Sequence, residues 1–213
     1  GLTGAGLTIQ KAGTMRRTIT WIRHGESEWN AGKRWQGHTD IPLSEVGRRQ
    51  ARALARRLSR SEYDSVYCSD LSRALDTATI ATGNRAPIVT PLLREIHFGI
   101  FEGKSPPILT DEERDEVDRW WASPYDFKLR GGESMECVDL RIREWMSCLP
   151  TECSVLVFTH GGVIRNALWQ VVGKPSKANW SVAIDNTSLT EIEYTSDRTL
   201  IHRVNDTAHL RPW

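Results

Sequence analysis

The sequence predicts an α/β domain, a sheet covered by helices on both faces. Three observations carry this. Strand-like and helix-like segments alternate along the chain. The strand-like runs are short and mostly apolar, as in strands buried on both sides. The chain has 213 residues and a net charge of +1. A chain of this length fits one domain and buries roughly 70% of its unfolded surface.

Residues 1–14 are glycine-rich and lack a continuous apolar run, so they read as a flexible arm or a non-native remnant, with Met15 as the natural start. The domain is expected over 15–213. Thr18–Ile22 is the first strand. A loop with Gly32, Gly37 and Pro42 follows. Ser44 caps a helix whose Ala51, Leu54, Ala55 and Leu58 share one face, with an arginine-rich face opposite. Ser65–Cys68 is a buried strand. A helix from Leu71 to Ala81, capped by Ser69 and Asp70, ends before Gly83. Pro87–Thr90 is a further strand. Residues 103–132, broken by Pro106, Pro107 and Pro124, read as an insertion with one helix, Asp111–Ala122. Ser134 opens a helix with the stripe Val138, Ile142, Trp145, Met146 and Leu149. Val155–Phe158 is a strand, followed by a helix from Gly162 to Val172 that Gly173 and Pro175 stop. Ser188–Tyr194 and Thr199–Val204 form a hairpin about Ser196-Asp197.

Several function classes are disfavoured. The balanced charge gives no basic footprint for nucleic acid or an anionic membrane. No run approaches the ~18 apolar residues of a membrane span. The four cysteines form no C-x-x-C pair and no zinc spacing, so reduced thiols in a cytoplasmic protein are expected, with no metal. Association into a homo-oligomer is left open.

Two histidines stand just past two apolar strands, each followed by glycine. His24 lies in Arg23-His24-Gly25-Glu26, and His160 in Thr159-His160-Gly161-Gly162. Ser69 and Arg73 lie past a third strand. Ligands of such sheets bind beyond the carboxyl ends of the strands, so three segments converge there. The residue types suit phosphoryl transfer. Arginine's planar fork neutralises a phosphate with paired hydrogen bonds. A neutral imidazole can attack phosphorus. The helix after Gly161 can point N–H groups at an anion. One geometric objection arises: consecutive strand residues face opposite ways, so Arg23 and His24 share a pocket only if the chain bends at Gly25 or Arg23 reaches around the strand edge. Glu95 is the candidate proton donor, because a bound phosphate should raise its pKa; Glu102 is its rival.

Arg23-His24-Gly25-Glu26-Ser27 with Asn30 resembles the opening motif of the histidine phosphatase superfamily, also called phosphoglycerate-mutase-like. Four later blocks resemble that family in its order: Ser69-x-x-x-Arg73-Ala74; Glu95 with Phe98-Gly99-x-x-Glu102-Gly103; Gly131-Gly132-Glu133-Ser134; and Thr159-His160-Gly161. The resemblance implies a three-layer αβα sandwich with a mostly parallel central sheet and a phosphohistidine intermediate, without metal or cofactor. It implies His24 as nucleophile, Arg23, Arg73 and His160 as phosphoryl ligands, and Glu95 as acid and then base. Asn30 and the loop with Gln36 and Gly37 would contact the substrate, a small phosphorylated metabolite, and Gly161 would lie at the phosphate.

The short insertion and the Phe-Gly-x-x-Glu-Gly wording resemble the phosphatase branch, whereas the mutases carry a longer insertion that shields the phosphoenzyme. The alternatives are mutase-type transfer and a non-catalytic phospho-ligand-binding protein. Trp120 and Trp121 are candidates to cover the ligand. Lys104 and Arg165 are candidate contacts for a second anionic group. His38, His97, His202 and His209 are not expected to be catalytic.

Overall fold

The computed structural model describes residues 14–175 and 182–211, so the expected N-terminal arm lies outside it apart from Thr14. One sheet of six strands has the order β3-β2-β4-β1-β5-β6. The strands are β1 (Arg16–Arg23), β2 (Ser65–Ser69), β3 (Ile88–Thr90), β4 (Glu152–Thr159), β5 (Leu189–Thr195) and β6 (Thr199–Asp206). β1 through β4 pair in parallel, and the final hairpin adds β5 and β6 antiparallel on one edge. The sheet is therefore mostly parallel, as expected.

The period-2 alternation of side chains builds both cores. Ile19, Trp21, Val155 and Val157 face α5 (Met135–Ser147) and α6 (Gly161–Val172), where Ile142, Trp145, Ile164 and Ala167 complete one buried cluster. Ile22, Leu156, Phe158, Val66 and Cys68 form the second cluster with Leu54 and Leu58 of α2 (Glu45–Leu58) and Ala74 and Ala78 of α3 (Ser72–Ala81). These are the three layers. Each large side chain buried this way stabilises the fold by about 1.5–3 kcal/mol.

The insertion is part of the first core. Its helix, Asp111–Ala122, opens with a capping box between Thr110 and Glu113. Leu109, Val117, Trp120 and Leu129 are buried with the α5–α6 cluster. The helix after β2 starts one residue later than expected. Its N-cap is Leu71, without a side-chain cap, because Asp70 is drawn off into a two-pronged pair with Arg94 at 2.7 and 2.6 Å. Among the described residues no helix is long and apolar enough to cross a membrane.

Candidate active site

The ladder sets the site's geometry. β1 and β4 pair with Arg23 opposite Thr159, so the next residues, His24 and His160, emerge side by side. Their rings lie 5.2 Å apart, centroid to centroid. β1 ends at Arg23, which removes the geometric objection: His24 already lies outside the strand, and both side chains line one cavity. Gly25 allows the chain to leave the sheet against α2, since a Cβ there would lie 2.6 Å from the Gly47 carbonyl oxygen.

The protons on both imidazoles follow from their partners. His24 Nδ1 lies 2.6 Å from the Gly25 carbonyl oxygen. A carbonyl only accepts, so Nδ1 carries the proton and Nε2 keeps its lone pair. His160 Nε2 lies 2.8 Å from Ser69 Oγ, which also accepts the Leu71 N–H at 3.4 Å. The Ser69 hydroxyl can in turn donate to Nε2, the tautomer in which the His160 proton sits on Nδ1. Burial, then Arg73, hold both imidazoles well below the ordinary histidine pKa; Arg23 adds to this. Both are neutral near pH 7.

The arginines are fixed by backbone carbonyls. Arg73, fully buried on α3, donates from Nη2 to Gly37 at 2.7 Å and from Nη1 to Thr39 at 3.1 Å. Burial pushes its pKa down to about 10, against the pull of Glu95. Arg23 Nη1 donates to the Ile184 carbonyl at 2.6 Å. Among the described residues, Arg23 Nε, Arg73 Nε, Gln36 Nε2 and His160 Nδ1 are buried without a hydrogen-bond partner. Orphaned buried donors are costly, and a phosphoryl group supplies the acceptors they lack.

Glu95 faces the same cavity. Its Oε1 accepts the Ile96 N–H at 2.9 Å and its Oε2 the Gly162 N–H at 3.0 Å. Its own carbonyl is held by His38 Nε2 at 2.8 Å and by Arg141, which is paired with Glu133. The rival, Glu102, is fully engaged: it accepts from the backbone of His38, Thr39 and Phe98 and from the Thr39 hydroxyl. Burial opposes its ionisation, but the bonds from Thr39 and His38 outweigh this and hold its carboxyl below the usual range. It braces the loop, while Glu95 faces the cavity.

The profile of the histidine phosphatase superfamily, branch 1, matches residues 19–207. The chain belongs to this family. A protein of Photorhabdus laumondii named "Probable phosphoglycerate mutase GpmB" is 35% identical over 182 residues, covering 81% of this chain and 83% of its own. The solved structure of YhfR from Bacillus stearothermophilus superposes with a TM-score of 0.81 at 32% identity, over 92% of this chain and 100% of that one. A mycobacterial glucosyl-3-phosphoglycerate phosphatase superposes with a TM-score of 0.77 at 27% identity, over 89% of this chain and 99% of that one.

In this member of the superfamily the cavity measures about 230 Å³. Asn30 and Gln36 line it, but their side-chain oxygens are already used. Asn30 Oδ1 accepts the Ser27 N–H in the capping box of the short helix Glu28–Ala31, and Gln36 Oε1 accepts from Ser27 Oγ. Gly37 is placed differently from the expectation. Its carbonyl grips Arg73, and a Cβ on it would lie 2.4 Å from Glu102 Oε1, so it holds Arg73 in position. Gly161 packs beside Arg23 and Arg165, and Gly162 lines the cavity instead. The first-turn N–H of Gly162 serves Glu95, which removes it from the donors expected for phosphate. Lys104 pairs with Glu113, whereas Arg165 lines the cavity with its Nε held by Val182.

Sequence reasoning missed the segment 182–188. Its Ile184 and Val182 carbonyls hold Arg23 and Arg165. Asn186 Nδ2 donates to the His24 carbonyl at 3.0 Å, and the Thr187 N–H donates to those of Arg23 and His24. Thr187 does so in the left-handed region, at φ 59°. The signals available were weak: an Asn-Thr-Ser run before a strand is an ordinary turn sequence.

Proposed function

We propose that this enzyme is a phosphatase that hydrolyses a small phosphorylated metabolite through a phosphohistidine on His24. The observation that carries the reading is the His24–Gly25 hydrogen bond, which leaves a neutral imidazole with its Nε2 lone pair free among two arginines and His160. In the first step Nε2 attacks phosphorus, the P–O ester bond breaks, and Glu95 delivers a proton to the leaving oxygen. Arg23, Arg73 and His160 Nδ1–H bind the phosphoryl oxygens as charge redistributes. In the second step Glu95 takes a proton from water, the water oxygen attacks phosphorus, and the P–N bond electrons return to His24. These cationic and hydrogen-bonding roles fall to the side chains, so the reading calls for no metal or cofactor. We also propose a cytoplasmic location, which the four free cysteines support.

The name of the Photorhabdus relative favours a second reading, mutase-type return of the phosphoryl group to a bound product. The short insertion, with its single α-helix, supports hydrolysis instead, because water must reach the phosphoenzyme. Incubating the enzyme with 3-phosphoglycerate, with and without its bisphosphate cofactor, and with a panel of monoesters separates the two. His24-dependent, chelator-insensitive phosphate release supports the phosphatase; bisphosphate-dependent isomerisation without release supports the mutase.

A further inference from the structure

The Gly131-Gly132-Glu133-Ser134 block lies outside the cavity lining. It clasps the backbone just past Glu95 instead. The Glu133 N–H donates to the His97 carbonyl at 2.8 Å, and Glu133 Oε2 accepts the His97 N–H at 3.0 Å. A Cβ on Gly132 would lie 2.4 Å from the His97 carbonyl oxygen. The Glu133 carboxylate also aims Arg141 of α5, whose Nε and Nη2 reach its two oxygens at 3.2 and 2.9 Å. The other N–H groups of Arg141 go to one short segment. Nη1 donates to the Leu92 and Arg94 carbonyls, each at 2.9 Å, and Nη2 to the Glu95 carbonyl at 3.4 Å. All five guanidinium N–H groups are thus engaged.

We propose that Arg141 is a positioning residue for the acid: aimed by Glu133, it fixes the backbone of Glu95 and so sets where the carboxylate stands in the cavity. This rests on the phosphatase reading, in which Glu95 protonates the leaving oxygen, and deepens it. Residues 94–98 lie in neither helix nor strand, so no ladder fixes them. Side chains take the carbonyls instead. Leu92, Arg94 and Glu95 give theirs to Arg141. Leu93 gives its own to the Thr159 hydroxyl at 2.7 Å, one residue before His160. His38 Nε2 is a second donor to the Glu95 carbonyl, at 2.8 Å. The carboxylate end meets the Gly162 N–H of α6. Glu95 is therefore suspended between two helices of one core, its backbone tied to α5 and its carboxylate to α6. The Arg141 and Glu133 side chains are only 18% and 22% exposed, so water competes weakly for these bonds. A lysine keeps the charge but lacks the planar fork, and cannot make the five bonds at once.

The test measures kcat/KM for benzyl phosphate, whose leaving alkoxide needs a proton, and for 4-nitrophenyl phosphate, whose leaving group does not. The proteins are the wild type, Arg141→Lys, Glu95→Gln and the double variant. Arg141→Lys should lower kcat/KM for benzyl phosphate by about ten- to a hundredfold, and for 4-nitrophenyl phosphate by less than about threefold. In the Glu95→Gln background the same change should cost benzyl phosphate less than about threefold, since no acid is left to place. A merely structural role would lower both esters alike and add to the effect of Glu95→Gln. No loss on benzyl phosphate, equal losses on the two esters, or a loss that adds to Glu95→Gln overturns the proposal. If melting shows that Arg141→Lys does not fold, Glu133→Gln removes the charge that aims the guanidinium and is judged by the same two comparisons. If neither ester gives His24-dependent phosphate release, or if Glu95→Gln itself slows both equally, the phosphatase reading fails, and this proposal with it.

Discussion

Glu95 Oε2 accepts the N–H of Gly162 at 3.0 Å, and a Cβ on Gly162 would lie 2.3 Å from Glu95 Oε1. The carboxylate and the first turn of α6 are therefore fitted to each other. A glycine is required there for space, since Gly162 has an ordinary helical backbone. Glu95→Gln keeps the shape but loses the proton, and should slow alkyl esters by about 10²–10⁴-fold while sparing activated aryl esters. Gly162→Ala should reproduce that selectivity by pushing the carboxylate out of place. Comparing an alkyl ester with 4-nitrophenyl phosphate checks both variants. Equal losses on the two substrates would remove Glu95 from the acid role.

The His24 pKa sets the acid side of the activity profile. Attack needs the neutral ring, and burial, Arg73 and Arg23 hold its pKa well below 6.5. A group with a lowered pKa keeps its neutral form until the pH falls through that lower value. The kcat/KM profile should therefore show no nucleophile limb near pH 6.5. Arg73→Gln removes one cation beside His24 and should move the acid limb upward in pH while lowering kcat/KM. An unchanged limb would remove Arg73 as a cause of the shift.

Stability should follow the same sign. His24 and His160 titrate well below 6.5 in the fold, and His209 is lowered to about 4 by burial and then by Arg57, against the pull of Asp206. The unfolded chain takes up these protons near pH 6.5 and the folded chain does not, so stability falls as the pH drops below about 6.5. Tm at pH 5 should lie below Tm at pH 7.5. His209→Gln should shrink that difference, because one proton no longer distinguishes the two states. Melting curves at both pH values measure it.

The 182–188 segment should matter for catalysis out of proportion to its burial. Asn186→Ala removes the bond to the His24 carbonyl at 3.0 Å, costing about 1 kcal/mol. A small displacement of the nucleophile costs more in rate than in stability. The expected result is a fall in kcat of about tenfold with a small drop in Tm. Thr187→Gly relieves the left-handed backbone at φ 59° but loses the bond to His209 at 3.0 Å. Those changes oppose each other, so Tm should change little. Thermal melts and initial rates on the two variants check these expectations.

The residues that the sequence made legible are those whose signal is local. His24 and His160 each follow an apolar strand, and Arg73 lies one helical turn past Ser69, so strand ends bring them together. The periodicity of Ala51, Leu54 and Leu58 marked the buried face of α2. What stayed hidden works through the backbone. The carbonyls of Gly37, Thr39, Val182 and Ile184 hold the arginines, and a carbonyl leaves no mark on residue type. Asp70 reads as a helix cap until Arg94, brought close only by the fold, claims it. The family resemblance implies Gly37 as a substrate contact, but the group that approaches it is Glu102.

The central claim is that His24 Nε2 forms a covalent bond to phosphorus. Rapid acid-free quenching during turnover of a radiolabelled monoester, followed by peptide mapping, tests it most directly. The account predicts an acid-labile, base-stable phosphoryl label on the peptide carrying His24. The label should be absent in His24→Ala and should accumulate in Glu95→Gln with an activated ester, where hydrolysis lacks its base. Turnover without any label on His24, or persistent activity in His24→Ala, would contradict it.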